Sequence, residues 1–394
     1  MPTTAESMTS RERWLAAVDF APLDHLPFWP KLDGSYPPRH AGAFAGWDPA
    51  QFHRYIGSDP HQWVAPCLRY VRTRTDYREQ ADGRRRRQCF VTPHGTLERE
   101  YQFDQASCSW HPTRFPVQSV ADIQLLTEWW LDARAELDGA QLARVQAEVR
   151  ALGSGAAVAT GIGESALMLW IEHLAGVENA HFLLSDYPDA TLALFEAIQG
   201  DLLRCTQIVT AHHPADLLYM VENTSTTLLS VEQYRRYDWP HLRQLADLAA
   251  QAGRRMILHM CGHIRALLDD LEKLPVAGFE AFTAPPLGNA TLLDGRTHCP
   301  TKALIGGTHA TLWLEPAERI IAFLGQRLDE LPHHRGLVVT SAGVMPPACP
   351  PDRIQTVCAW VRRYPLRLTL PPTSPPAADT AGPRPAAPTR PRTP

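Results

Sequence analysis

Arg255-Met256-Ile257-Leu258-His259-Met260-Cys261-Gly262 is an apolar run that ends in polar and small residues, and a helical pattern over 264–274 follows it at once. Together they read as one strand feeding one helix. Alternation along a strand sends His259 and Cys261 to the same side. The same succession recurs through the second half of the chain. Residues 156–160, 216–221, 279–283, 303–306 and 336–340 are further short apolar runs. Amphipathic segments separate them, and 231–252 and 317–331 are the clearest helices. With 26–29 and one strand near 64–70 the total is about eight, which predicts a (β/α)8 TIM-type barrel of parallel strands. Chemistry in such a barrel sits at the C-terminal ends of the strands, where His259 and Cys261 fall.

The 394 residues, 44% of them apolar, hold ample material for a large core, and one barrel with insertions accounts for the length. We place the barrel at 1–366 and a tail at 367–394. Thr9-Ser10-Arg11-Glu12 is a capping-box pattern opening a short helix through Val18. Between about Gln62 and Trp110, aromatic and β-branched residues alternate with charges around Asp82-Gly83 and Thr92-Pro93-His94-Gly95-Thr96, the pattern of an antiparallel hairpin excursion. From Ser119 to Leu152 the periodicity is helical. Beyond Leu370 the chain is rich in Pro, Ala and Arg and nearly free of large apolar residues, so the C-terminal tail is expected to be disordered.

A net charge of -4, with 38 basic residues dispersed except at Arg84-Arg85-Arg86-Arg87, argues against a nucleic-acid partner. That arginine run follows Asp82-Gly83 and reads as a solvated hairpin. No stretch approaches the roughly 18 apolar residues of a membrane span, and the N-terminus is not a signal peptide. Eight cysteines without disulfide-like spacing suit reduced thiols and a cytoplasmic location.

An imidazole and a thiolate two residues apart at a strand end hold a borderline cation, zinc above all. The pair describes equally a core cysteine beside a hydrogen-bonded histidine, so the surroundings must decide. Gly161-Ile162-Gly163-Glu164 leads from a strand into a helix, where backbone N–H groups meet an anion or a tight turn simply closes. Glu164 is expected at the same mouth. Trp29, Trp170 and Trp239 either line a cavity for a large planar cofactor or pack the barrel. Cys299, beside His298, precedes a strand and belongs to the opposite, structural face.

Ser10-Arg11-Glu12-Arg13, Asp24-His25-Leu26-Pro27, Leu258-His259-Met260-Cys261-Gly262, Pro285-Pro286-Leu287-Gly288, Gly306-Gly307 and the helix entry from Pro346-Pro347 to Asp352 resemble the uroporphyrinogen decarboxylase superfamily. The similarity runs to about Tyr364. Within it, the His-x-Cys-Gly strand end is similar to the zinc- and corrinoid-linked methyltransferases. The heme-pathway decarboxylases carry an Arg-Gln-Ala-Gly-Arg stretch after the first strand, where this chain reads Pro30-Lys31-Leu32-Asp33-Gly34-Ser35. The resemblance implies zinc held by a His, a Cys and a later Cys. It also implies a small-molecule thiol or related acceptor activated on that zinc, and methylcobalamin or a corrinoid protein as methyl donor. The later Cys of the family falls on Gly343 here. Candidates for the remaining ligands are Cys349, six residues on, and His309, just past Gly306-Gly307. Glu222 ends the strand 216–221 and, with Glu164, is a candidate catalytic group. Three readings stay open: corrinoid-linked methyltransferase, uroporphyrinogen decarboxylase-like carboxy-lyase, and a metal- or corrinoid-binding accessory protein without turnover.

Overall fold

The computed structural model describes residues 7–369. β1 (Phe28–Trp29) and β2 (His61–Trp63) come first. The chain then leaves the barrel for β3 (Leu68–Val71), β4 (Asp76–Asp82), β5 (Arg85–Thr92), β6 (Gly95–Asp104), β7 (Ser109–Arg114) and β8 (Arg134–Leu137). It returns with β9 (Ala157–Gly163), β10 (Leu217–Val221), β11 (Arg255–His259), β12 (Gly278–Phe282), β13 (Ala303–Gly306) and β14 (Leu337–Thr340). The barrel order is β1-β14-β13-β12-β11-β10-β9-β2, with every pairing parallel. This is the expected (β/α)8 architecture.

No ladder joins β1 to β2 among the described residues. Asp59 closes that seam instead: its N–H donates to Phe28 O at 2.8 Å, and its carboxylate accepts from Phe28 N at 3.1 Å. The strands bury both faces, hence their near-continuous apolar runs. Trp29, Ala159, Tyr219, Ile257, Ile305 and Val338 fill the barrel interior. Their neighbours in sequence, among them Phe28, Leu218, Leu258, Leu304 and Val339, pack outward under the helices. Each such side chain contributes roughly 2 kcal/mol relative to exposure. His259 is in phase with Ile257, so period-two alternation alone turns it inward.

Gly306 shows why the Gly-Gly strand end is small. A Cβ there would lie 2.2 Å from Phe282 O, a backbone atom that cannot swing away. Gly306→Ala is expected to cost about 2–3 kcal/mol by overpacking. A urea midpoint equal to that of the unsubstituted protein would show that the strands can separate.

Two sequence expectations need correction. The strand placed near 64–70 divides: His61–Trp63 is the barrel strand, while Leu68–Val71 pairs antiparallel with Arg134–Leu137 outside it. The latter pairing also interrupts the helical reading of 119–152, which is two helices, Val120–Leu131 and Gly139–Leu152. Its partner lies more than sixty residues away, so local periodicity carried no sign of it. The excursion itself is a four-stranded antiparallel sheet, β4-β5-β6-β7, with Arg87 paired to Glu98 and Glu100 on its surface.

Residues 231–252 are helical as expected, but a π-turn, Tyr234–Asp238, interrupts them just before Trp239–Gln251. Pro240 has no N–H to donate into the preceding turn, which favours the wider turn there. Helix Pro188–His212 stops before Pro214 and buries Leu194, Ile198, Leu202, Cys205 and Val209 along one stripe. Arg367 and Leu368 still bond to the barrel, through His334 N and Arg335 Nε. The tail expected to be disordered from Leu370 onward lies outside the described residues. No helix of the described residues is long and apolar enough to cross a membrane.

Candidate functional site

His259 ends β11 on the C-terminal side of the barrel. Its carbonyl accepts from both Glu222 N (3.1 Å) and Asn223 N (3.0 Å), which fixes the strand end. In the parallel register His259 stands opposite Glu280 of β12, and the two side chains meet, Nδ1 on Oε2. Glu280 is only 1% exposed. Its other oxygen accepts from Lys31 Nζ at 2.9 Å. Lys31 lies two residues beyond Trp29 and so points inward with it. The last barrel loop holds Lys31 from both sides: its N–H donates to Ser341 Oγ at 3.1 Å, and its carbonyl accepts from Met345 N at 2.8 Å.

A carboxylate buried between two cations has a clear electrostatic outcome. Burial alone would raise the pKa of Glu280, but Lys31 and His259 outweigh it and hold it down at about 2. Burial likewise works against a charged His259, yet Glu280 and then Cys261 raise it to about 9. With Nδ1 committed to Glu280, Nε2 is the nitrogen left for a ligand. This is the carboxylate–histidine arrangement that orients metal-binding imidazoles.

Cys261 is exposed, and its Sγ donates to Asn223 Oδ1 at 3.4 Å. Asn223 adopts φ 47°, a left-handed conformation that Asn tolerates better than most residues. Its Nδ2 donates onward to Glu172 Oε2 at 3.1 Å. Gly262 lets this crossing occur, since a Cβ there would fall 2.3 Å from Ser225 Cβ. Glu172 and His173 lie on the π-turn Trp170–Leu174, and His173 Nε2 is 3.4 Å from Glu164 Oε1. Glu164, Glu172 and His173 offer ligand atoms within 4.8 Å of one another, the one such trio among the described residues. Burial, and then Glu164, raise the pKa of Glu172. Glu172 Oε1 and Glu164 Oε2 are buried without a partner.

The structure therefore brings His259, Cys261 and Glu164 to one mouth and places the other candidates elsewhere. Glu222 is fully buried, with Oε1 accepting from Ser165 N at 2.9 Å. It occupies the helix start after Glu164, where an external anion was the alternative. Burial and then Asp238 raise its pKa well above the usual carboxylate range. Cys349 is buried beyond the Pro-Pro turn, its Sγ against Pro350 O and its carbonyl held by Tyr36 Oη. Burial pushes that thiol up to about 11, the wrong direction for a thiolate ligand. His309 is turned to Thr311 Oγ1 at 2.9 Å and packs edge-on to Phe323.

Trp29 and Trp170 are 1% and 0% exposed, so neither offers a face to a cofactor. Trp29 packs against Trp14 and His61 inside the barrel, and Trp170 donates to Ala180 O between helices. Trp239 donates to Asp270 O. Cys299 is buried against Leu268 O. The sequence reading missed Lys31, Glu172, His173, Asn223 and Glu280. Only Glu280 left a signal there, as an acid inside the apolar run Gly278–Phe282 in inward phase.

The family model described as uroporphyrinogen decarboxylase (URO-D) matches residues 166–364. No curated protein sequence matches the chain. Among solved structures, a methyltransferase from Methanosarcina mazei is similar at 14% identity and a TM-score of 0.56, covering 90% of this chain and 98% of its own. A B12-independent methionine synthase from a Shewanella species follows at 10% identity and a TM-score of 0.44, covering 86% and 98%.

Proposed function

The chain belongs to the uroporphyrinogen decarboxylase family, and from that premise we propose that it is a methyltransferase working through a zinc centre at His259 and Cys261. The observation that carries the reading is the Lys31–Glu280–His259 relay, which fixes one imidazole nitrogen and presents the other beside an exposed thiol. The donor chemistry fits zinc. His259 Nε2 and Cys261 Sγ would supply two ligands, and Glu172, with Oε1 orphaned and Oε2 held off Cys261 by Asn223, would supply a third only by turning out of the Glu164–Glu172–His173 group toward them.

Exposed apolar side chains suit a large methyl donor. Trp63 ends β2, and Leu287, Leu314 and Val344 follow β12, β13 and β14, on the side where the site opens. When bound, zinc lowers the pKa of an acceptor thiol so that it is a thiolate at neutral pH, and a methyl-corrinoid supplies the methyl group. The residues of the chain do the rest. Glu280 aligns His259 and offsets its charge, Lys31 holds Glu280 ionised, and Asn223 keeps Cys261 at the mouth. A metal would be held by His259 Nε2 as the neutral imidazole, so any proton on that nitrogen would have to leave on uptake.

One zinc per chain is expected from elemental analysis. The double variant His259→Ala, Cys261→Ala should lose more than about ten-fold in zinc affinity and keep its fold. Methylcobalamin mixed with small thiols should be demethylated at a rate that depends on both residues. Equal zinc content in the double variant, or carbon dioxide release from uroporphyrinogen that survives chelation, would reverse the reading.

Gly343 provides a gain-of-function test, since an added Cβ there meets only Ala310 Cβ at 3.6 Å. The loop carrying it already grips Lys31. Gly343→Cys should tighten zinc at least about ten-fold by restoring a thiolate donor. An unchanged affinity would mean that this loop does not reach the metal.

A further inference from the structure

Beside the mouth, between the end of β9 and the antiparallel sheet, lies a cavity of about 680 Å³, a size typical of small-molecule sites. Tyr77 and Phe90 of the sheet, Trp129 and Trp130 of helix Val120–Leu131, and Ile198 and Leu202 of helix Pro188–His212 make it largely aromatic and apolar. Three charged residues interrupt that lining: Arg99, Glu164 and Asp201. Arg99 is engaged already. Its guanidinium lies over Phe90 and Tyr101, with Nε on Gln88 Oε1 at 2.8 Å and Nη1 on His173 O at 3.5 Å.

Each of the two acids keeps one oxygen without a hydrogen bond, although Arg204 and Arg72 act electrostatically on Asp201. Asp201 is 5% exposed and interrupts the apolar stripe of its helix between Ile198 and Leu202. Its Oδ2 accepts from Tyr70 Oη at 3.1 Å and from Cys205 Sγ at 3.9 Å, but Oδ1 is buried without a partner. Glu164 Oε2 is in the same condition. Leaving a buried acceptor unpaired is destabilising, and Tyr70 uses only the other oxygen. Trp130 Nε1, also unpartnered, accommodates one neutral acceptor atom on an occupant.

We propose that this cavity binds an aromatic ammonium compound, the arene lying among Phe90, Trp129 and Leu202 and the ammonium donating to Asp201 Oδ1, with Glu164 adding negative charge toward the barrel mouth. A cation there gains a charge-assisted hydrogen bond and aromatic faces together. A carboxylate would meet two acids, and Arg99, the one cation of the lining, is already held by Gln88 and by the Phe90 and Tyr101 rings. The occupant would lie next to the Glu172–Asn223–Cys261 chain, but the binding itself is independent of zinc and of methyl transfer.

Calorimetric titration of the full metal-free chain at neutral pH tests this with three probes of one shape: 1-naphthylmethylammonium, 1-naphthylmethanol and 1-naphthylacetate. The ammonium should bind at least about ten-fold tighter than either of the others. Asp201→Asn, which keeps size and shape, should erase that preference and leave the alcohol within about two-fold. Gly161 lines the cavity, and a Cβ there meets nothing within 4 Å, so Gly161→Leu should block all three probes; thermal melting followed by circular dichroism verifies that it folds. Equal or tighter binding of the acetate, a preference that survives Asp201→Asn, or no binding of any probe would overturn the proposal.

Discussion

Arg13→Ala is expected to destabilise the protein by about 3–5 kcal/mol, the cost of removing one partner from a buried charge network. Arg13 is 3% exposed. Its Nε donates to Asp24 Oδ1 at 2.7 Å and Nη2 to Asp24 Oδ2 at 3.0 Å, while Nη1 reaches Asp59 and Nη2 also reaches Met8 O. Asp59 is the residue that closes the β1–β2 seam, so the arginine ties the first helix, the first strand and the seam together. Alanine leaves both carboxylates without their cation. Asp59, whose pKa burial raises against the pull of Arg13, can take up a proton in response, which places the cost toward the lower end.

The pH dependence has a definite sign. Burial would raise the pKa of Asp24, but Arg13 and the Met8 N–H hold it well below the usual carboxylate range. A depressed folded-state pKa contributes stability above the unfolded value, near 4, that is lost as pH falls below it. The unsubstituted protein should therefore weaken in urea between about pH 4 and pH 2, and Arg13→Ala should show a flatter acid limb. A variant within about 1 kcal/mol of the parent at pH 7 would mean that the seam is held without the arginine.

Glu280→Gln carries the second large expectation. The amide keeps the shape and one acceptor but removes the anion between Lys31 and His259, leaving the Lys31 ammonium, 12% exposed, without the carboxylate it is hydrogen-bonded to. Zinc affinity should fall about 10- to 100-fold, the usual consequence of losing a partner that orients a ligand histidine. The metal-free protein should lose about 3 kcal/mol. Measuring both separates the roles. A stability loss with unchanged zinc affinity would make Glu280 structural only, and unchanged values for both would remove the relay from the site.

Period-two alternation and the recurrence of strand and helix were enough to determine the barrel, the inward direction of His259 and its place at a strand end, because these follow from backbone geometry over a few residues. The Ser10–Arg13 and Asp24–Pro27 segments were likewise visible as motifs, although their physical content, a buried arginine between Asp24 and Asp59, appears only when the chain closes. Lys31 and Glu280 are separated by 249 residues, and no local pattern pairs them; barrel closure does so by bringing a β1 loop against β12. The same holds for Glu172, which reaches Cys261 through Asn223 across two different strand ends, and for Asp201, whose unmatched oxygen acquires meaning only once the antiparallel sheet covers it. Cys349, His309 and Glu222 carry ligand chemistry in their side chains, but tertiary packing turned them to Pro350, Thr311 and Ser165. Residue type is local, whereas access to a shared site depends on how distant segments pack.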